Sequence, residues 1–393
     1  LPTIPVRDLA IQRRENDLAL ASFGRGIYIL DDYSPLRALA QDGASAWTQK
    51  EGAIFPVKDA LLYAQSSPFG GGGKSFLGET FFTADNPPFG AVFTVHIRET
   101  LKTQKQRRQE AEKTGAPRLL TPDEVRAEEE EETPAYFVVV SDAAGPPVRR
   151  VTLANSEGLQ RAAWNLRYAD ITLNSSQDDD DEADNGSGST LAMPGVYSAQ
   201  LAKRERGVTT TIGEPVSFTV APLANATLPA SDRKALVEFQ RKASALLRSA
   251  SGAAALLGET QTKLTALKKA LWESELRNAD SLRAELSALE TRLSALRRTL
   301  SGDRILAARN ENTPNSILSR LRQIAYEQYR STSEPTKEHL SGYALAAEEF
   351  TRLQGELSDI VGNLVPRFER ILEAAGAPHT PGRVPEWKER RDR

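Results

Sequence analysis

Close to the N-terminus the apolar positions recur with the short period of strands. Val6 to Ile11, Asp17 to Ser22 and Gly26 to Asp31 each alternate or run apolar, and Arg14-Glu15-Asn16 and Phe23-Gly24-Arg25 between them are favourable turn chemistry. The pattern predicts a three-stranded β-meander. A meander of roughly 25 residues buries too little apolar surface to fold alone. Its faces are therefore expected to pack on something larger.

From Ala53 to Val220 the pattern stays that of strands, predicted near 54–63, 79–83, 91–98, 135–141, 147–153, 158–168, 194–202 and 212–220. Short strands punctuated by Gly and Pro predict a β-sandwich. Asp142-Ala143-Ala144-Gly145 is a hairpin signal, and Met193-Pro194-Gly195-Val196-Tyr197 resembles the turn into a late strand of an Ig-like domain of the flagellar-hook-cap type. Trp164, Leu166 and Tyr168, spaced two apart, are expected on one side of a strand. Core packing is the preferred reading for them, a ligand platform the alternative. Over 99–133 the pattern gives way to Lys, Arg and Glu without an apolar stripe of normal width, which predicts a charged, solvated helical insertion between two strands.

Beyond Pro222 the period becomes helical, and Pro229 to Asp232 reads as a helix start. Leucines at 282, 286, 289, 293, 296 and 300 form a heptad seam whose expected partner is the preceding helix, through Leu257, Leu264, Leu267 and Leu271. Asn278-Ala279-Asp280 is expected to supply the turn and cap between them. A short helix is predicted from Asn315 to about Arg330. Ser333-Glu334-Pro335 is expected to open a last helix carrying Leu345, Phe350, Leu353, Leu357, Ile360, Leu364, Phe368 and Ile371, kinked at Pro366. The sum is a C-terminal antiparallel α-helical bundle over 223–376, followed by a flexible tail, 377–393, where Trp387 is the residue able to tuck back. Pairing of the seam with a second copy is the alternative. The other amphipathic segments in the same chain favour the internal solution and a monomer.

At 393 residues the chain has room for two or three domains. Its composition is that of a soluble globular protein, and no apolar run approaches the roughly 20 residues of a membrane-spanning helix. A net charge of −3 gives no global field for nucleic acid or an anionic membrane. The absence of cysteine excludes disulfides, thiolate metal sites and cysteine nucleophiles. The histidines, His96, His339 and His379, lie far apart in sequence, which disfavours zinc. The chain opens Leu1-Pro2-Thr3 and its single methionine is Met193, so its start is read as a cut, with any export signal upstream.

Several motifs suggest chemistry and fail on spacing. Gly70 to Ser75 invites a phosphate-loop reading, but Pro68 stands where the first glycine belongs and Phe76-Leu77-Gly78-Glu79 does not begin a helix, so a hairpin tip is expected. Glu128 to Glu132 on a helix would point all round it, which reads as a solvated face rather than a calcium site. Asp178 to Glu182, within the acidic loop 174–190, lacks the spaced carboxylates and glycine of a calcium loop, leaving a disordered loop or weak cation binding. Asp31 and Asp32, adjacent on a strand, are expected on opposite faces and so do not form a glycosidase pair. Glu338-His339 lacks the Glu-x-x-His spacing of a di-metal bundle. No catalytic, cofactor-binding or metal-binding residue is assigned.

Pro5 to Ile11, Glu15 to Leu18 and Gly24 to Asp32 resemble the closing blade of sortilin-like, BNR-repeat propeller proteins of bacteria, often labelled glycosyl hydrolases by fold analogy. Phe81 to Phe93 looks like that family's entry into an Ig-like domain, and Asp142 to Gly145 with Ala163 to Tyr168 continue the resemblance, which covers most of residues 4–220 and the helical part loosely. It implies a multidomain β plus α fold: the last strands of a β-propeller and a linker over 1–50, an Ig-like β-sandwich over 51–222, then the helical bundle. In that family the propeller carries the repeats and any pocket. No Ser-x-Asp-x-Gly-x-Thr-Trp repeat occurs here, so a neuraminidase-type site is assigned to no position. The resemblance implies a non-catalytic structural or protein-binding region, partnered by an upstream propeller of the same polypeptide, in an extracytoplasmic setting. The alternative is an accessory carbohydrate-binding region of a glycoside hydrolase, for which Tyr33, Trp47, Tyr63 and Phe69 would have to form an aromatic strip.

Overall fold

The computed structural model describes residues 3–65, 84, 86–115, 118–169, 189–223 and 228–385. The predicted strand near 79–83, Phe69, the glycine run Gly70 to Ser75, the acidic run Asp178 to Glu182 and Trp387 lie outside the described residues. The chain forms two compact units, one holding 3–169 and 191–223, the other 228–385.

The first unit begins with an antiparallel sheet of β1 (Val6–Gln12), β2 (Asp17–Ser22) and β3 (Ile27–Leu30), in the order β1-β2-β3. Asn16, at φ 58°, and Gly24 and Gly26, at 72° and 81°, make its two turns. Two helices that the strand pattern does not announce follow, α1 (Ser34–Asp42) and α2 (Ala44–Thr48). Pro35 starts the first, and Gly43 separates the two at φ 83°.

The predicted 54–63 strand divides into β4 (Gly52–Ile54) and β5 (Ala60–Leu62), with Pro56 between them unable to donate to a ladder. The pieces enter different sheets. β6 (Ala91–Ile97) pairs with β4. The charged insertion then forms α3 (Gln104–Thr114) and α4 (Pro122–Glu129). The remaining strands are β7 (Ala135–Asp142), β8 (Pro147–Leu153), β9 (Gly158–Trp164), β10 (Gly195–Glu205) and β11 (Val208–Pro222). One sheet runs β5-β11-β10-β7-β8 and the other β4-β6-β9. Both give alternate residues to one core: Phe93, Val95 and Ile97 from one, Val138, Val140, Leu201 and Phe218 from the other. Trp164 is 1% exposed, 5.1 Å from the Tyr197 ring, and its Nε1 donates to the Arg167 carbonyl at 2.7 Å.

The expected alignment of Trp164, Leu166 and Tyr168 is corrected. β9 ends at Trp164, and Leu166 turns into the left-handed region at φ 55°, so the two-residue alternation stops there. Trp164 and Leu166 are both buried, while Tyr168 is half-buried. Gly90 makes this arrangement possible, because at φ 108° its missing Cβ would stand 1.9 Å from the Trp164 carbonyl oxygen.

The acidic run is also corrected. α4 ends at Glu129, so Glu128 to Glu132 are not five residues of a helix. Glu129, Glu130 and Glu132 are exposed, as a solvated face requires, while the Glu128 and Glu131 side chains are turned inward. Arg108 Nε lies 2.7 Å from Glu128 and its Nη1 3.0 Å from Glu112, Lys105 pairs with Glu129, and Arg204 with Glu132. Glu131 accepts from the Gln104 N–H. Thr103 with Gln106 and Thr121 with Glu124 form capping boxes on the two helices. With no apolar stripe available, ion pairs and caps hold the insertion. The Arg108 hydrogen bond keeps the Glu128 carboxyl below its ordinary 4.5 and raises the guanidinium pKa. A depressed carboxyl stabilises above its unfolded value and loses that effect as pH falls through its folded value. Acidification below 4.5 is therefore expected to move the α3 and α4 backbone NMR shifts toward unfolded values while Val138 and Val140 hold theirs. Unchanged α3 shifts would show that the caps alone hold the insertion.

The second unit is helical. Asp232 caps α5 (Arg233–Trp272), and α6 (Ala279–Ser301) runs back along it. Leu282, Leu286, Leu289, Leu293, Leu296 and Leu300 are all buried, in one core with Leu257, Leu264, Leu267 and Leu271. Asn278 holds the N-cap position of α6 but its side chain makes no capping bond. The short α7 (Arg304–Ala307), absent from the sequence reading, is capped by Asp303. α8 (Ile317–Tyr329) follows. The last helix, α9 (Lys337–Asp359), opens later than expected: Thr336 caps it, and Glu334 instead accepts from the Ser231 N–H at 3.0 Å. A π turn over Ile360–Leu364 joins it to α10 (Val365–Ala374). Pro366, which lacks an N–H, is thus met by a widened turn, with the Val365 N–H donating to the Ile360 carbonyl. Among the described residues no helix is long and apolar enough to cross a membrane.

Candidate functional site

The surface that stands out lies on the β1-β2-β3 sheet. Residues directly opposite one another on antiparallel strands share a face, so the register Leu9↔Leu20↔Tyr28 and Ile11↔Leu18↔Leu30 gathers those six on one side. The other side carries Ala10, Ala19 and Ile29, with Asp8, Ala21 and Ile27. Both sides leave large apolar groups in solvent: Leu9 and Ile11 are each 57% exposed, Ile29 63% and Ile27 73%. The outer strands β1 and β3 each have one edge with no neighbour among the described residues. Unpaired edges and exposed apolar surface are what folds avoid unless something covers them.

The sheet is anchored through its turns and its exit. Arg161 of β9 donates from Nη2 to the carbonyls of Asp31 and Asp32, at 2.7 and 3.0 Å. Lys58 pairs with Glu15, holding that carboxyl below its ordinary range, and Arg37 donates to Asn16. A groove of about 270 Å³ runs beside these contacts, lined in part by Leu30, Tyr33, Leu36, Leu159 and Arg161. Arg161→Ala is expected to raise local opening of the sheet by about 1 kcal/mol, roughly five-fold in hydrogen exchange at Ala19 and Leu20. Unchanged exchange there would assign the anchoring to Lys58 and Arg37.

Other residues singled out by the sequence do not converge. Asp31 and Asp32 lie past the end of β3 rather than on it, and Asp32, at φ 45°, accepts from the Ser34 N–H. Their carbonyls serve the Arg161 anchor, a structural use. His96 is buried on β6, and burial lowers its pKa, which keeps it neutral. His339 accepts the Thr336 N–H at Nδ1, with Gln328 Nε2 3.0 Å from the same atom and Glu327 2.5 Å from Nε2. This network ties α8 to the start of α9. Among the described residues no group of three or more His, Asp or Glu side chains is placed to hold a metal.

Of the aromatic residues proposed for sugar stacking, Trp47 stacks on Phe55 at 4.3 Å and Tyr63 meets Phe89 edge-on at 4.8 Å. Tyr33 lies under the Arg37 guanidinium. All three are half-buried in pairs of their own. Arg161 and Lys58 were not legible as functional residues, because their partners lie 130 and 43 positions away. Comparison with protein-family profiles, curated proteins and solved structures returns no match.

Proposed function

We propose that this chain is a non-catalytic, structural or protein-binding region whose N-terminal sheet docks into a larger β structure. The resemblance of residues 5–32 to a closing propeller blade names that structure as the propeller of a sortilin-like, BNR-repeat protein. The observation that carries the reading is the three-stranded sheet, whose two edges have no neighbour among the described residues, with exposed Leu9, Ile11, Ile27 and Ile29 on opposite sides. Propeller blades have four strands, so one further strand on an outer edge would complete one. The same resemblance gives the rest of the first unit an Ig-like sandwich reading. Its support is the core shared by the five- and three-stranded sheets, the buried Trp164, and the Tyr197 hydroxyl donating at 2.7 Å to the Met193 carbonyl just upstream, as in a tyrosine corner. An extracytoplasmic location belongs to the same proposal.

The half-buried, paired state of Tyr33, Trp47 and Tyr63 favours this reading over carbohydrate binding. The coding sequence upstream of Leu1 provides the test. In-frame, blade-sized repeats carrying Asp-boxes are the expected finding, and a start codon directly before Leu1 would overturn the propeller assignment. A second check titrates the chain with glycans: tryptophan fluorescence is expected to stay constant, and a saturable change would restore the carbohydrate reading.

A further inference from the structure

Where α6 gives way to α7, the helical unit contains a cavity of about 430 Å³ lined by Leu257, Arg297, Ser301, Arg304, Leu318 and Arg322, among others. Among the described residues no Asp or Glu lines it. Among the described residues none of the three guanidinium groups pairs with a carboxylate. The acid next to the cavity in sequence, Asp303, accepts from the N–H groups of Ile305 and Leu306 instead. Elsewhere in this unit Lys263, Lys268, Arg292, Arg320 and Arg367 each face a glutamate, and arginines unpaired among the described residues, such as Arg248, Arg277 and Arg309, do not share one pocket with one another as the three cavity arginines do. The cavity therefore gathers three guanidinium groups that pair with no carboxylate among the described residues, an arrangement that a bound anion would stabilise.

The wall chemistry narrows the class of anion. Guanidinium forks match the oxygens of a phosphate group better than any other side chain does. The apolar lining residue that solvent reaches is half-buried Ala254 of α5, in company with the buried Leu257 and Leu318. The volume falls in the roughly 300–1,000 Å³ range of small-molecule pockets. We propose that this cavity binds an organic phosphate, its phosphomonoester group held by Arg297, Arg304 and Arg322 and its apolar part laid on Ala254. This site is independent of the docking surface on the first unit.

Calorimetric titration of the full chain with phenyl phosphate, inorganic phosphate and benzoate tests it. Saturable binding of phenyl phosphate is expected, tighter than that of either other probe and weakened by salt. Arg304→Gln and Arg322→Gln are each expected to weaken it at least about ten-fold. Both side chains are exposed, so the variants should melt like the parent by circular dichroism. Arg277→Gln, which removes the same charge from the turn between α5 and α6, is expected to leave binding unchanged. Phosphatidylcholine vesicles containing phosphatidic acid separate two sources of the group. Phenyl phosphate binding without vesicle binding supports a soluble ester, and vesicle binding lost in Arg304→Gln supports a lipid headgroup. The proposal is overturned by no saturable binding, by benzoate binding as tightly as phenyl phosphate, or by an equal loss in Arg277→Gln.

Discussion

Gly90→Ala is expected to destabilise the first unit by about 3 kcal/mol or more. Two costs coincide at this position. At φ 108° an L side chain is strained, and the added Cβ would lie 1.9 Å from the Trp164 carbonyl oxygen and 2.9 Å from its carbon. The obstacle is backbone, so no rotamer relieves it. The position leads into β6, and the next residue, Ala91, is paired with Trp164 in the β6–β9 ladder. Relief of the clash has to separate those strands at the point where Trp164 closes the core. Urea unfolding followed by tryptophan fluorescence should show a lower midpoint with little change in slope. Gly145→Ala isolates one of the two costs, since that glycine has φ 93° but no atom within 4 Å of its would-be Cβ. It is expected to lose only about 1 kcal/mol. Equal losses for the two variants would show that the Trp164 contact contributes nothing.

The second large effect is expected in the helical unit. Leu286, second of the six seam leucines, is fully buried in one core with Leu264, Leu321 and Leu353. Leu286→Ala is expected to cost about 3–4 kcal/mol, the lost transfer energy plus the cavity that fixed helices cannot close. Leu306→Ala, at 40% exposure on α7, is expected to cost under about 1 kcal/mol. Far-ultraviolet circular dichroism during urea unfolding reads both. An unfolding midpoint that rises with protein concentration would instead place the seam between copies of the chain.

The contrast between these two sites shows which parts of the fold are legible in the sequence. The seam is readable because a heptad is a local count: six leucines at steps of 3 and 4 need only one more helix, and α5 lies next to α6 in the chain. The Asp142–Gly145 turn between β7 and β8 is readable for the same reason, since Gly145 donates to Asp142 within the tetrapeptide itself. Legibility fails where a partner is remote or one residue breaks a period. Nothing near Ala60 announces its parallel pairing with Val220. Nothing in the glutamate run announces Arg204, which reaches Glu132 from β10. Leu166, at φ 55°, ends an alternation that composition alone would extend to Tyr168.

The candidate docking surface falls on both sides of this line. That the meander would need a partner follows from its size and apolar strands, whereas its anchor, Arg161, is visible only once β9 is placed beside it. The arginine cavity draws on three separate segments, at Arg297, Arg304 and Arg322, with an apolar floor from α5, so no motif spacing encodes it.

The π turn before Pro366 has a consequence for how the last helix tolerates change in length. Its buried positions, Phe350, Leu353, Leu357 and Ile360, advance by 3 or 4, but the next, Val365, follows after 5, and Phe368 and Leu372 then resume steps of 3 and 4. The widened turn absorbs one supernumerary residue, leaving the two apolar stripes in phase. Deleting exposed Gly362 or Asn363 would restore a regular helix and, at about 100° per residue, swing Phe368 and Leu372 away from the core. A shorter and locally better helix would therefore make a worse protein, because the irregularity keeps the count of residues matched to the surface they must cover.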